Sequence, residues 1–547
     1  MLHLDQAKNH GQKEPRIFGG FHKNITIRFD STSGGAFSAL ANAVYKQGGY
    51  VAGAVFNEDW SVSNFVSNNK KDLSRLRSSK YVESNAEGLY QEIKRLLIAG
   101  EKVLACGSPC QMAALRTYLG KDYDNLIIVD FLCRATNSPK AYRKYLDMLE
   151  EQYGGKIVYI KAKNKDHGWR SLARKVVFDN GKVYYGEGHD DHYRRGYHGN
   201  YFERPSCYDC KFKGLPRISD LTLGDFWGID RVDPSLDKNL GTSMVMANTD
   251  KGQQLLDSIK SKMELKEFAL KDVLPGNPDA IMGGNISYPA IDREQMFADM
   301  DTMRFDQVAE KYFPMEKPHG LSGKQKLKKA IKFAIRSIMH PQYTWRQFRW
   351  NDLCKMCNGK FLSGHYLQVN PDCALDIDPT AKIEVSKGHV NFGWKKNRKS
   401  HEESQLLLEA GATLKLEGEN YFRPGTDIQV FRGATLRFGH GGNNVGLNII
   451  CADNIWIGDH TRMGRNVSLR DNNGGHSVIQ TGYTDRAPIH IGNYVWIGSN
   501  VQIMKGVTIG DGAVVAANSV VTSNVPAHSM VSGNPAQVVS DNIVWVK

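Results

Sequence analysis

An aliphatic residue recurs at every sixth position along the C-terminal third of the chain. The row comprises Ile457, Met463 and Leu469, and later Ile491, Ile497, Ile503, Ile509, Val515 and Val521. Gly492, Gly498 and Gly510 keep the same step. A six-residue period fits neither a helix nor a simple strand. It is typical of a parallel β-helix, in which three short strands form one coil. The sequence therefore predicts a β-helix here, with weaker repeats beginning near residue 374.

The N-terminal half has a different pattern. Apolar runs such as KVLACG and NLIIVDFLC alternate with amphipathic stretches such as SPKAYRKYLDMLEEQYG. This alternation favours an α/β or α+β domain. We therefore expect three parts: an N-terminal domain over 1–315, a basic helical linker over 316–368 and the β-helix over 369–547.

The linker carries much of the net charge of +13. Residues 317–351 contain nine Lys or Arg and no acid. Apolar residues at helical spacing predict an amphipathic helix, which either packs on a neighbouring domain or lies on an anionic membrane surface. No helix-turn-helix, zinc-finger spacing or aromatic RNA motif accompanies the charge, so we expect no nucleic-acid partner.

The N-terminus has no apolar signal region, and no run reaches 18 apolar residues. We therefore expect a cytoplasmic protein, with peripheral contact at the inner membrane face through 317–351 as the further expectation. The nine cysteines are then expected to be free thiols or metal ligands.

One interruption of the six-residue period carries candidate chemistry. Between Leu469 and Ile491 the chain reads RDNNGGHSVIQTGYTDRAPIH, and loops that break a regular solenoid are frequent sites of function. A histidine can take a proton near neutral pH, and a neighbouring carboxylate can orient it. We predict His476 as general base and Asp471 as its orienter, with Asp485 and His490 as rivals.

The C-terminal sequence from IHIGNYVWIG to SGNPAQVV resembles the hexapeptide-repeat O-acetyltransferases. That family includes maltose and galactoside acetyltransferases and the enzymes that decorate capsule and O-antigen sugars. The resemblance implies a left-handed parallel β-helix, a homotrimer and acetyl-CoA bound between neighbouring β-helices. It implies a CoA site bordered by five residues of this chain: Trp496, Gly498, Ala516, Asn534 and Pro535. We expect the side chain of Lys505 to contact either the phosphates of CoA or solvent.

Cysteines in the N-terminal half lie at the ends of strand-like segments. Cys106 and Cys110 belong to CGSPCQ, Cys133 to DFLCRATNSP, and Cys207 and Cys210 to SCYDCKFK. Strand ends in an open sheet share one edge, so these thiols can converge. Four thiolates suit zinc or an iron–sulfur cluster.

The blocks STSGGAFSALA, CGSPCQMAALR, HGWR and LTLGDFWGI occur in this order and resemble the coenzyme F-420 hydrogenase/dehydrogenase beta-subunit family. The resemblance implies a 4Fe–4S cluster held by Cys110, Cys133, Cys207 and Cys210, with Cys106 spare. It also implies FAD, whose pyrophosphate would meet Ser33, Gly34 and Gly35. No cysteine precedes Cys106, so we expect an external electron donor such as ferredoxin. Lys213, Arg217 and Asp225 are expected near the same cleft.

Together the two halves predict a bifunctional protein of polysaccharide biosynthesis. The β-helix would transfer acetyl from acetyl-CoA to a hydroxyl of a saccharide or lipid-linked saccharide, beside a flavin/iron–sulfur oxidoreductase-like domain. Two alternatives stay open at this point. In the first, the N-terminal domain is a non-catalytic binding module. In the second, the acceptor of the acetyl group is an amine.

Overall fold

A computed structural model describes residues 10–188, 190–237, 239–315, 341, 345, 349, 351, 355–359, 366–370, 373–386, 388–395 and 402–545. The chain divides into two compact units, Met1–Lys317 and Pro318–Trp545. Most of the predicted linker lies outside the described residues, so the three-part division and the basic helix stay predictions. Within the described part of the chain, no helix has the length and apolar character needed to cross a membrane.

The first unit contains a mixed eight-stranded sheet and a small three-stranded sheet. Its strands are β1 (Arg16–His22), β2 (Tyr50–Phe56), β3 (Val62–Ser67), β4 (Val103–Gly107), β5 (Leu126–Phe131), β6 (Ile157–Asn164), β7 (Ala173–Phe178), β8 (Val183–Gly186), β9 (Leu221–Asp225), β10 (Ser243–Ala247) and β11 (Met263–Phe268). Its helices are α1 (Ile25–Asp30), α2 (Ala36–Lys46), α3 (Leu73–Leu76), α4 (Leu89–Ile98), α5 (Pro109–Leu119), α6 (Pro139–Tyr153), α7 (His192–His198), α8 (Ile229–Val232), α9 (Asp250–Ser258), α10 (Leu270–Val273), α11 (Pro278–Met282), α12 (Arg293–Thr302) and α13 (Phe305–Tyr312).

The order of the large sheet determines where the cysteines meet. It runs β11-β1-β10-β9-β5-β4-β2-β3, and the pairs β2–β4, β4–β5 and β5–β9 are parallel. The carboxyl ends of these four strands therefore lie on one edge, the usual ligand-binding edge of an open sheet. The predicted α/β class is confirmed. Strands β6, β7 and β8 form the separate antiparallel sheet.

The second unit consists of short strands in chain order. They are β12 (Tyr366–Val369), β13 (Cys373–Ile377), β14 (Lys382–Val385), β15 (His389–Phe392), β16 (Ser404–Leu408), β17 (Thr413–Leu416), β18 (Asn420–Phe422), β19 (Asp427–Val430), β20 (Thr435–Phe438), β21 (Gly441–Asn443), β22 (Asn448–Cys451), β23 (Asn454–Ile457), β24 (Arg462–Met463), β25 (Ser468–Arg470), β26 (Ile489–Ile491), β27 (Trp496–Ile497), β28 (Gln502–Met504), β29 (Thr508–Ile509), β30 (Val514–Val515), β31 (Val520–Val521), β32 (Met530–Gly533) and β33 (Ala536–Ser540).

From β12 to β31 every third strand joins the same sheet in parallel, so three sheets enclose one core, which is the predicted left-handed β-helix. The last strand, β33, pairs antiparallel with β32. The aliphatic row lies inside it, and Ile497 and Val515 are fully buried neighbours on adjacent coils. The coil shortens along the chain. Leu408 pairs with Val430, 22 residues later, whereas Ile503 pairs with Val521, 18 residues later. The longer early coils explain why the six-residue period is weak before residue 445.

The small residue beside each aliphatic has a steric cause. A Cβ added to Gly458 would lie 2.6 Å from the carbonyl carbon of Gly492 on the next coil. Successive corners approach so closely that the backbone leaves no room for a side chain. The glycines of the period are therefore required by contact between coils.

Candidate functional site

A cavity of about 290 Å³ opens in the first unit. Ser33 and Gly35 line one part of it, and Cys106, Cys110 and Cys133 line another. The predicted phosphate loop and two of the predicted cluster ligands thus face one space. This placement follows from the sheet, because β4 leads to Cys110 and β5 leads to Cys133 at the same edge.

The segment Ser31–Gly35 is packed tightly before α2. A Cβ on Gly34 would lie 2.5 Å from the backbone nitrogen of Ser243, so this position requires glycine. Gly35 has φ of 96° and is the N-cap of α2. Among the described residues no side chain caps this helix, which leaves its first amides for an anion.

A row of lysines on β6 and just after its end contacts residues of the cavity wall. Lys165 is almost fully buried and donates to the carbonyls of Arg28, Ser33 and Leu240 at 2.6–2.7 Å. Lys163 donates to Oδ2 of Asp225 at 2.6 Å. Alternate residues of a strand point to one face, so this row fastens the small sheet to the cavity rim.

This row was not predicted, although its alternating lysines are visible in the segment KAKNK.

The four predicted cluster ligands are neighbours. Burial raises the pKa of the Cys133 thiol to about 12, and the nearby Cys110, Cys207 and Cys210 add to the rise. A thiolate that repels three others is stabilised by a bound cation. Ser108, which precedes α5, lies 3.2 Å from the sulfur of Cys110. Cys133 therefore lies within electrostatic range of the other three predicted ligands.

Single-metal geometry is absent in the described residues. No three side chains of His, Cys, Asp or Glu come close enough there to hold one metal ion. Burial raises the pKa of the spare Cys106 to about 12, which keeps that thiol neutral. Whether the four cysteines hold a cluster or zinc stays a prediction.

Asp225, Arg217 and Lys213 have different surroundings. Asp225 lines the cavity, and its Oδ1 is buried without a hydrogen-bond partner among the described residues. Arg217 instead donates to Oδ2 of the buried Asp130 at 2.8 Å, and Asp130 is the second-last residue of β5. Lys213 donates to the carbonyl of Gly284 at 3.0 Å.

In the second unit the coil is interrupted between β25 and β26. The excursion carries His476, which is exposed, after Gly474 and Gly475 with φ of 68° and 86°. A hydrogen bond closes the excursion where the chain returns to the coil: Ala487 donates its backbone N–H to the carbonyl of Asp471 at 3.0 Å. The candidate histidine is thus held outside the β-helix wall.

The side chain of Asp471 accepts hydrogen bonds from backbone N–H groups. It is fully buried, and its two oxygens accept the N–H groups of Ala452 at 2.7 Å and Asp453 at 2.9 Å. Among the described residues no hydrogen bond joins it to His476. These contacts fasten the start of the excursion to the preceding coil, and its role as orienter stays a prediction.

The predicted CoA residues share one part of the β-helix. Trp496 is 47% exposed on β27, next to Val514 of β30. The corner at Gly498 abuts Ala516 and Ala517 of the next coil. Asn534 and Pro535 are exposed in the turn between β32 and β33. Their contact with CoA stays a prediction.

Two family models match the chain. Residues 100–272 match the C terminus of the beta subunit of coenzyme F-420 hydrogenase/dehydrogenase. Residues 488–523 match the bacterial transferase hexapeptide (six repeats). Both resemblances stated from the sequence are thereby confirmed. No curated protein matches the chain.

Solved structures resemble each half. The chain is 17% identical to a chain of the F-420-reducing NiFe hydrogenase complex of Methanosarcina barkeri, over 55% of this chain and 91% of that one, with a TM-score of 0.34. It is 31% identical to a hexapeptide-repeat containing acetyltransferase of Vibrio cholerae, over 25% and 73%, with a TM-score of 0.18. A maltose O-acetyltransferase of Clostridium difficile is 26% identical over 25% and 68%, with a TM-score of 0.18.

Proposed function

Because its C-terminal unit matches the bacterial hexapeptide transferases, we propose that the chain transfers acetyl from acetyl-CoA to a saccharide hydroxyl. The observation that carries the proposal is the excursion between β25 and β26, which presents His476 outside the β-helix wall. A regular solenoid needs no such loop, and this one offers a group suited to proton transfer.

In the proposed reaction, His476 takes the proton of the acceptor hydroxyl as its oxygen attacks the thioester carbonyl. The C–S bond then breaks, and CoA leaves as the thiol with a proton returned from the imidazolium. Backbone amides would stabilise the oxyanion. Trp496, Gly498, Ala516, Asn534 and Pro535 would contact CoA, and a neighbouring copy in a homotrimer would supply the facing wall.

The test is product analysis with the full-length protein. Acetyl-CoA and a panel of bacterial surface oligosaccharides are supplied, and mass spectrometry detects a gain of one acetyl group. Hydroxylamine at alkaline pH removes an ester and spares an amide, so it separates the proposed hydroxyl acceptor from the amine alternative. Absence of acetylated product with every saccharide would refute the proposal.

A second function is proposed for the first unit: binding of a 4Fe–4S cluster and FAD. The shared cavity of Ser33, Gly35, Cys110 and Cys133 supports it. Cys110, Cys133, Cys207 and Cys210 would hold the cluster, and the uncapped start of α2 would meet the flavin pyrophosphate. When bound, these groups would supply one- and two-electron transfer, fed by an external donor such as ferredoxin.

Anaerobic purification with iron, sulfide and flavin analysis tests this second function. About four irons per chain with bound flavin would support it. Zinc, or neither metal nor flavin, would favour a structural or non-catalytic binding module. A matched pair sharpens the result: Cys133→Ser should lose iron, whereas Cys451→Ser, at a buried β-helix thiol, should not.

We also propose a cytoplasmic location with a lipid-linked acceptor. The support is the excess of Lys and Arg in 317–351, which would favour an anionic surface. The full-length protein should cosediment with vesicles of anionic lipid and should remain in solution with neutral vesicles. Equal binding to both would contradict the proposal.

A further inference from the structure

The excursion that carries His476 is closed by a polar cluster. Oδ1 of Asp485 accepts the side-chain amide of Asn473 at 2.9 Å and the backbone N–H of Val478 at 3.1 Å. Asn473 in turn donates its backbone N–H to the carbonyl of Asp485 at 3.1 Å. One carboxylate oxygen thus joins positions 473 and 478 across the segment that contains His476.

Lys505 fixes this cluster to the β-helix. It follows β28 on the next coil, and its Nζ donates to Oδ1 of Asn473 and to the hydroxyl of Tyr483, each at 2.7 Å. The hydroxyl of Tyr483 also donates to Oδ1 of Asn473 at 3.3 Å. One amine therefore connects the outgoing and the returning arm of the excursion to the coil.

The charges in this cluster agree with its geometry. Hydrogen bonds from Ser477 and from the backbone of Val478 lower the pKa of the Asp485 carboxyl. The hydrogen bond from Lys505 lowers the pKa of Tyr483. The first effect favours an ionised Asp485 as the fixed acceptor of the segment.

We propose that Asp485 and Lys505 are positioning residues that hold His476 in its reactive place. Lys505 thereby has a role other than binding CoA phosphates, because its amine is directed at the excursion. The catalytic part of this inference rests on the proposed acetyl transfer. The positional part concerns the loop alone and is measurable without turnover.

Steady-state kinetics separate positioning from CoA binding. Displacement of a catalytic group by about 1 Å can cost on the order of 100-fold in rate. Lys505→Met and Asp485→Ala should therefore lower kcat by about 10- to 100-fold and leave the KM for acetyl-CoA within about twofold. Lys505→Arg, which keeps donors for both oxygens, should recover part of kcat. Lys415→Met is the matched control, since Lys415 forms an exposed ion pair with Glu384 at 3.3 Å on an early coil.

The opposite result, a raised KM for acetyl-CoA with an unchanged kcat, would overturn the proposal. If Lys505 binds the 3′-phosphate, Lys505→Met would raise the KM for acetyl-CoA at least tenfold with kcat unchanged. It would also abolish discrimination against 3′-dephospho-acetyl-CoA.

Hydrogen exchange of the full-length protein provides the readout that does not need activity. The backbone N–H groups of Asn473 and Val478 should exchange at least tenfold faster in Asp485→Ala and Lys505→Met than in wild type or Lys415→Met. Unchanged exchange would refute the cluster as a clamp, whatever the kinetics. If wild type transfers no acetyl group while exchange responds as expected, the proposed function fails and the clamp stands.

Discussion

Buried charges in the first unit are mostly matched by a partner. Arg217 meets Asp130, Lys163 meets Asp225, and Lys165 meets three carbonyls. Glu203 differs from them. It is fully buried, and among the described residues neither of its oxygens has a hydrogen-bond partner. Arg134 is 3.6 Å from Oε1, and burial nevertheless raises the pKa of Glu203 from its usual 4.5 to about 7.

This carboxyl should make the first unit less stable as pH rises. Between pH 4.5 and 7 the folded state keeps a proton that the unfolded state loses, so the free energy of unfolding falls across this window. The contribution is about 3 kcal/mol once pH exceeds 7. Glu203→Gln should remove it. Urea unfolding at pH 5 and pH 8, followed by tryptophan fluorescence, should give a smaller pH-dependent loss for Glu203→Gln than for wild type. An identical loss in both proteins would contradict this assignment.

For single residues, the sequence indicates which side chains can carry chemistry more readily than it indicates which atoms they contact. The placement of Cys110 and Cys133 at one cavity was predictable, because the strands that precede them end at the same edge of the sheet. The partners of Asp471 and Lys505 were not, because they lie on coils about 20 to 30 residues away and depend on the coil lengths. Whether His476 acts as the base stays a prediction.

At the level of elements, contact between coils constrains the β-helix corners. Gly458 packs against backbone atoms of Gly492, which cannot rotate away as a flexible side chain could. Gly442 offers a contrast on strand β21. A Cβ there would lie 3.6 Å from the guanidinium of Arg462, an ordinary contact.

Gly458→Ala should therefore destabilise the second unit by about 1–3 kcal/mol, because overpacking forces the backbone apart. Gly442→Ala should change its stability by less than about 0.5 kcal/mol. Thermal unfolding followed by far-UV circular dichroism compares the two variants. Equal melting temperatures would show that the corner spacing relaxes freely and would refute the steric argument.

The six-residue period can be recognised in the sequence because each buried aliphatic residue falls on a separate strand. Examples are Ile491, Ile497 and Ile503 on β26, β27 and β28. The earlier coils, which have additional residues and the aromatic core of Phe392, Phe422 and Phe438, do not keep a six-residue step. Their boundaries could not be obtained from the period alone.

At the level of the whole molecule, the second unit exposes apolar residues on the excursion. Ile479 is fully exposed and Val478 is 48% exposed, and exposed apolar groups of this kind favour association. The resemblance to the hexapeptide-repeat acetyltransferases implies a homotrimer, and we predict that its interface covers these residues. Sedimentation equilibrium should give about three times the 61.3 kDa chain mass, and Ile479→Asp should shift the distribution towards monomer. A monomeric wild type would contradict this prediction.

The central claim is that His476 performs proton transfer in acetylation of a saccharide. The most direct measurement is saccharide-dependent release of CoA by full-length wild type, His476→Ala and His490→Ala under the same conditions. The account predicts a loss of about 100- to 10,000-fold for His476→Ala, with unchanged circular dichroism, and near-normal release for His490→Ala. Near-normal turnover by His476→Ala would contradict it.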